Sequence, residues 1–358
     1  AHIDKSKCVE CGKCADVCPY GAIANFKRPC ERACKFDAIS MAEGGEAQID
    51  NDKCVACGAC VYQCPFGATL DTSSIVDVIR TIMGSENNTK YKVYAMVAPA
   101  IASQFTYAKL EQVVTAIKEL GFYMVTEAAL GADMVAYDEA QELIEKDFLT
   151  SSCCPAFVRY IKTRFPELTD HISHNLSPMA TLGKFIKEHD PDAKIVFIGP
   201  CTAKKAEIKQ DHVKDYIDYV LTFEELQALI DSKDIIVEEL PETSLDEASY
   251  FGRIFARSGG VTAAVEEAVK ELNPEGFVFN PIVCDGVDKC KPALMRASKG
   301  LMKDYNFIEG MICSGGCIGG AGCLTHGPAN KKEVEEYGKE SSAETIKSAI
   351  DRAEEQGL

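Results

Sequence analysis

Apolar and polar positions along the chain follow two different rhythms. From residue 91 onward short apolar runs, several rich in β-branched residues, recur at 91–97, 123–127, 148–151, 195–198 and 219–222. Longer amphipathic segments lie between them, and 111–120, 139–146 and 155–164 have helical spacing. That alternation predicts α/β units with parallel sheets. Residues 73–83 also predict a helix, with Asp71 or Thr72 as N-cap. A polar, Asn-rich stretch, 84–90, is expected to be a linker. Residues 331–358 are highly charged and lack proline, which predicts a solvated helical tail. Before about Asp71 the cysteines set the pattern.

A chain of 358 residues with 46% apolar and 26% charged residues forms two or three globular domains with a substantial core. The expected division is 1–78, 79–330 and 331–358. No apolar run is long enough to span a bilayer. A net charge of -17 argues against binding nucleic acid through its phosphates and is compatible with redox partners. The chain begins at Ala1, leaving open what precedes it. No secretory h-region follows, and the expected compartment is the cytoplasm.

The 18 cysteines change the picture, because most stand in short-spaced clusters. In such a chain this favours metal ligation over a disulfide framework. Lys7-Cys8-Val9-Glu10-Cys11-Gly12-Lys13-Cys14 followed by Cys18-Pro19 is nearly repeated as Lys53-Cys54-Val55-Ala56-Cys57-Gly58-Ala59-Cys60 followed by Cys64-Pro65. Each copy is a C-x2-C-x2-C-x3-C-P run, the bacterial ferredoxin signature, in which three thiolates wrap one 4Fe-4S cube and the fourth ligates the other. The crossing predicts Cys8, Cys11, Cys14 and Cys64 on one cluster and Cys54, Cys57, Cys60 and Cys18 on the second. Zinc knuckles would need neither the third Cys nor the Pro. Between the copies, Cys30 and Cys34 are expected to be accessory or structural thiols. The other reading puts Cys34 in the place of Cys18. Lys27, Arg28, Arg32 and Lys35 are a candidate docking face for an acidic electron carrier, although a solvated basic loop is the commoner meaning.

Three further motifs decide the chemistry. They are Thr150-Ser151-Ser152-Cys153-Cys154-Pro155-Ala156-Phe157, Gly199-Pro200-Cys201-Thr202-Ala203-Lys204-Lys205-Ala206-Glu207 and Glu309-Gly310-Met311-Ile312-Cys313-Ser314-Gly315-Gly316-Cys317. In this order they resemble the signatures of the FeFe-hydrogenases over roughly residues 90–328. The resemblance implies an α+β ferredoxin-like N-terminal domain followed by a two-lobed α/β hydrogenase domain with parallel sheets, its cluster between the lobes. It implies an H-cluster, a 4Fe-4S cube on Cys154, Cys201, Cys313 and Cys317. Cys317 is there shared with a two-iron subcluster carrying CO, cyanide and a dithiolate amine. Glycines around Cys317 are expected to let the backbone approach the cluster.

By position, the resemblance also makes Lys204 the donor to one cyanide, with Ala98-Pro99 the backbone near another and Met311 packed beside the two-iron site. Cys153 becomes the thiol that exchanges protons with the amine. Glu139, Glu142 and Ser173 become the relay behind it, the two carboxylates standing at i, i+3 on one helical face. Implied partners are H2, protons, ferredoxin or a similar small redox carrier, and hydrogenase maturation proteins.

The chain departs from the common pattern at Gly199, where Met is usual, at Phe157, where Trp is usual, at Ala100, where Ser often stands, and after Cys317. These changes bear on the outer shell of the cluster, not on its four ligands. Cys284, Cys290 and Cys323 are expected to be buried structural thiols. Six histidines form no recognisable mononuclear site, and no phosphate loop or dinucleotide fingerprint occurs. The competing readings are an iron-sulfur scaffold or assembly protein, which needs the cubane-type cysteines but not Cys153, Lys204, Glu139, Ser173 and Met311 together, and a hydrogen sensor, against which the absence of an obvious signalling domain weighs.

Overall fold

The computed structural model describes residues 3–4, 7–8, 13–23, 27–146 and 148–356. The N-terminal module contains a two-stranded antiparallel hairpin, β1 (Ile39–Met41) and β2 (Ala47–Ile49), in which Ile39 faces Ile49. Two parallel sheets follow. The larger has the order β4-β3-β6-β7, built from β3 (Val93–Val97), β4 (Met124–Glu127), β6 (Lys194–Gly199) and β7 (Tyr219–Thr222). The smaller has the order β5-β9-β8, from β5 (Leu149–Thr150), β8 (Pro281–Asp285) and β9 (Phe307–Met311). All five residues of β3 are buried, which is why its sequence reads as a continuous apolar run rather than an alternating one.

Helix Ala128–Glu145 starts directly after β4 and packs on helices Pro178–His189 and Gly260–Leu272. It is longer than the spacing of 139–146 predicts, because its first half is buried and so lacks a polar face. Its origin is pinned by a buried pair. Arg253 Nε donates to Glu127 Oε1 at 2.8 Å, and Tyr337 also bonds that oxygen. Both charged side chains are 1% exposed, so their pairing offsets a large desolvation cost.

The expected division does not coincide with structural units. The boundary at 78/79 falls inside helix Ile75–Gly84, whose Val78 is in the core around the larger sheet. The supposed linker 84–90 is a tight turn. Ser85 is fully buried, and Asn88 donates to Gly121 O at 3.1 Å and accepts from Val93 N at 2.9 Å. Residues 331–358 likewise do more than cap the fold. Helices Ala329–Lys339 and Ile346–Gln356 bury Val334, Tyr337, Ile346 and Ala349. The N-terminal module is joined to the rest by a shared core, in which Phe36, Ala38 and Val55 pack with Phe157, Ile161 and Ile308. Lys205 adds ion pairs to Asp71 and Glu225, each at 2.7 Å. Among the described residues no helix is long and apolar enough to cross a membrane.

Candidate active site

Parallel sheets expose the carboxyl ends of their strands on one edge, where loops converge. Ala98-Pro99 follows β3, Cys153-Cys154 follows β5, Cys201 follows β6, and Cys313 and Cys317 follow β9. The two sheets turn these ends toward each other. Between them lies an apolar cavity of ≈ 90 Å³ lined by Ala98, Pro99, Cys153, Lys204, Met311 and Cys317, together with Cys154 and Cys201. Eight residues from four separate stretches of the sequence, all assigned by the resemblance to one centre, thus meet at one void.

Local structure prepares two of the thiols. Cys154 is the N-cap of helix Pro155–Arg164 and Cys201 that of helix Thr202–Glu207. Backbone N–H groups of Ile312, Phe157 and Ala156 point at the Cys154 thiol, and those of Lys204 and Ala203 at Cys201. Such donors favour thiolate and an anionic cluster. Burial outweighs them, pushing the Cys201 thiol up to about 11 with help from Cys154. Cys313 is raised far above the ordinary thiol range by burial and then by Cys201, Cys154, Cys317 and Cys57. Four mutually close thiols in a dry site are poor anions alone and good ligands to a cationic centre. No three His, Cys, Asp or Glu among the described residues converge tightly enough for a single metal ion. A cube needs its thiols spread over its corners, so the donor set fits a 4Fe-4S cube.

Two of the glycines are required by packing within the protein itself. A Cβ at Gly320 would lie 2.4 Å from Pro200 O, and Gly316 has φ +91° with Ser258 N only 2.7 Å from a Cβ position. They let the third-motif loop close on the Cys201 loop and on Ser258. Phe157, in the place where Trp is common, lies against Gly310, where any Cβ would meet its ring at 2.0 Å.

Lys204 Nζ pairs with Glu207 Oε2 at 2.7 Å and donates to Cys153 O at 3.4 Å. Burial lowers this ammonium, but Glu207 more than offsets that and holds it above its usual value. Sequence reasoning overlooked Glu207, whose signal was its i+3 spacing from Lys204.

Glu139 is fully buried, accepts from Ser152 N at 3.1 Å and lies near the Cys153 thiol. Burial pushes its carboxyl up to about 7, against bonds from Ser152 and Ser173. Cys153 is held well above the ordinary thiol range by burial and then by Glu139, so it stays protonated. Ser173 Oγ donates to Glu142 Oε2 at 3.0 Å and touches Glu139 as well. Glu142 reaches the surface, bonded to Lys146 Nζ at 2.7 Å and His174 Nδ1 at 2.5 Å. Burial raises Glu142, but these two partners bring it below its usual value. Lys146 and His174 were not singled out from the sequence, although Lys146 stands at i+4 from Glu142.

Cys284, Cys290 and Cys323 are buried. The Cys290 thiol donates to Cys284 O and Met311 O, each at 3.4 Å, and Cys323 to Ile318 O at 3.5 Å. In the N-terminal module Cys11 lies outside the described residues. Cys8 and Cys14 are exposed, and the Cys18 and Cys64 thiols each accept N–H groups from their own turn. Among the thiols acting on Cys57 are Cys60, Cys34 and Cys54, so Cys34 is brought beside the second run.

Residues 91–321 match the family described as iron only hydrogenase large subunit, C-terminal domain. Residues 1–24 match a 4Fe-4S binding domain and 28–68 a 4Fe-4S dicluster domain. Iron hydrogenase 1 of Clostridium pasteurianum is 29% identical over 93% of this chain, which spans 66% of that protein. The periplasmic Fe hydrogenase large subunit of Nitratidesulfovibrio vulgaris is 30% identical over 90% of this chain and 85% of its own length. The cytosolic Fe-S cluster assembly factor NAR1 of Kluyveromyces lactis is 28% identical, over 45% of this chain and 37% of its own. A solved structure of the FeFe-hydrogenase HydA1 from Chlamydomonas reinhardtii shares the fold with a TM-score of 0.65 at 19% identity, covering 79% of this chain and 94% of that one. The three motifs that meet at the cavity all fall inside the 91–321 match, which takes in well over half of the sequence, and the chain belongs to the iron-only hydrogenase large-subunit family.

Proposed function

We propose that this chain is a hydrogenase that interconverts H2 with protons and electrons at an H-cluster, exchanging the electrons with ferredoxin or a similar small carrier through two N-terminal 4Fe-4S clusters. In this reading Cys154, Cys201, Cys313 and Cys317 would hold the cube, with Cys317 the thiolate that would also serve the two-iron subcluster. When bound, that subcluster would supply the chemistry of making and breaking the H–H bond.

The chain's own residues do the rest. Ala98, Pro99 and Met311 wall a small apolar cavity whose lining offers water few hydrogen-bond partners. Lys204 presents a buried ammonium to anionic ligands there. Cys153 holds a proton on sulfur beside Glu139, Glu139 takes it, and the Ser173 hydroxyl passes one proton on as it receives another. Glu142 then delivers to the surface beside Lys146 and His174. Arg32 and Lys35 line a wide groove at the N-terminal module and offer a docking face to an acidic carrier. Installing the two-iron site requires maturation proteins, and the cytoplasm is the compartment we assign. A periplasmic relative means that family membership alone does not set it.

The observation that carries the reading is Glu139, a fully buried carboxyl pushed up to about 7 beside Cys153. An assembly factor of the NAR1 kind, the alternative, has no use for a buried proton carrier. The test is infrared spectroscopy and H2/D2 exchange on anaerobically matured protein. We expect CO and cyanide bands together with exchange. Absence of both, under conditions that mature a control hydrogenase, defeats the enzyme reading and leaves the scaffold.

A further inference from the structure

The repeat in the N-terminal module assigns ligands by crossing, which gives Cys18 to the cube begun by Cys54. The fold around that cube suggests another donor. Cys34 and Cys54 stand at the two ends of the β1–β2 hairpin. Asp50 N donates to Ala38 O at 2.8 Å and Cys54 N to Asp50 O at 2.9 Å, which fixes the two ends side by side. Each thiol accepts a backbone N–H, Cys34 from Ala38 at 3.3 Å and Cys54 from Ala56 at 3.4 Å. Such bonds are those that tune cluster-bound sulfurs. Helix Pro29–Ala33, which delivers Cys34, packs on helix Ala59–Tyr62, which carries Cys60. Independently, the dicluster match covers 28–68, which includes Cys34 and begins beyond Cys18.

We propose that Cys34, Cys54, Cys57 and Cys60 hold one 4Fe-4S cube, with Cys34 as the fourth ligand in place of Cys18, and that this cube is the one adjoining the catalytic cluster. The adjacency follows from the loop between Cys54 and Cys60. Thr202 Oγ1 donates to Ala56 O at 3.0 Å, directly after Cys201. At Gly58 a Cβ would lie 2.4 Å from Thr202 Oγ1 and 2.7 Å from Ala321 Cβ, so the loop is seated against both catalytic loops. Cys34 therefore completes the first station for electrons leaving the catalytic cube. On ligation each of the four thiols gives up its proton to solvent.

The assignment rests on the iron-sulfur content of the module and not on hydrogen turnover, and the test separates the two. The full chain is produced without maturation proteins and reconstituted anaerobically with iron and sulfide. Iron and sulfide are then counted, and the dithionite-reduced protein is examined by electron paramagnetic resonance. Cys34→Ala is expected to lose about four irons per chain and the spin-coupling broadening between this cube and the catalytic cube. Cys18→Ala should keep that broadening, and Cys30→Ala should match the parent in iron and spectrum. Cys34→Ser supplies an oxygen ligand, so even if Cys34→Ala fails to fold, a shifted signal of the coupled cube is expected from the serine variant and not from Cys18→Ser. Wild-type iron content and coupled spectrum in the Cys34 variants, with their loss in the Cys18 variants, overturns the assignment.

Discussion

Ser152 donates its peptide N–H to Glu139 Oε1 at 3.1 Å, which ties a buried carboxyl to the residue directly before Cys153. The other oxygen, Oε2, is buried without a hydrogen-bond partner among the described residues. A carboxyl so placed is available to carry a proton. Glu139→Gln keeps the size and an acceptor for Ser152 but cannot exchange a proton at neutral pH. We expect turnover to fall roughly 100-fold or more, with iron content and the infrared bands of the matured protein unchanged. Hydrogen evolution from a reduced dye measures the first, and the spectrum shows that the site was still built.

Glu139, Glu142 and Ser173 were legible as one group because the resemblance carries their positions, and the strands β3, β4, β6 and β7 because short apolar runs mark them. Strand β9 was not. Glu309 and Gly310 interrupt its pattern, and the reason for Glu309 lies elsewhere in the chain. Its carboxylate accepts from Gly259 N at 2.7 Å and Thr262 N at 2.8 Å at the start of helix Gly260–Leu272. Cys34 illustrates a second limit. Cys18 and Cys34 are both fourth-cysteine candidates by local spacing, and the contacts that bear on the choice, the β1–β2 hairpin among them, are tertiary. The stretch 84–90 illustrates a third, since its polar residues bond to backbone inside the fold and composition alone makes them look solvated.

Lys204 is 8% exposed and its counter-ion is Glu207, 5% exposed. Removing one partner of such a pair strands the other charge in a dry site. Glu207→Gln is expected to cost about 3–5 kcal/mol in unfolding free energy, read by chemical denaturation under anaerobic conditions. If anionic ligands share Lys204, the loss is smaller in fully matured protein than in protein lacking the two-iron site. Equal losses in both would remove Lys204 from the ligand shell.

Asp133 sits inside helix Ala128–Glu145 and accepts from Ser249 N at 2.7 Å and from Ser249 Oγ at 2.5 Å. Burial pushes its carboxyl up to about 7 from 3.8, the Ser249 bonds opposing it. The sign of the linkage follows. Below pH 3.8 both folded and unfolded states carry the proton and the contribution is fully present. As pH rises toward about 7 the unfolded state sheds its proton first, so stability falls until the folded carboxyl ionises too. The total is on the order of 4 kcal/mol. Asp133→Asn cannot titrate, and the difference in melting temperature between it and the parent should shrink or reverse as pH is raised from 5 to 8, within roughly the window that linkage sets. A difference independent of pH would mean that Asp133 is ionised in the fold throughout.

Gly199 departs from the Met common in this family, and the reason lies two residues earlier. A Cβ at Gly199 would stand 2.6 Å from Phe197 Cε1 and 3.1 Å from Ala98 Cβ. Phe197 is 4% exposed and lines the cavity between the two sheets, so its ring occupies space that a side chain at position 199 would otherwise fill. Gly199→Ala alone should therefore overpack the wall and cost about 1–3 kcal/mol. Paired with Phe197→Leu, which vacates the ring, the same change should cost less than the sum of the two single variants. Thermal unfolding of the four proteins gives the coupling energy, on the order of 1 kcal/mol or more for groups in contact. Strict additivity would show that Phe197 and Gly199 were not exchanged for one another in shaping this cavity.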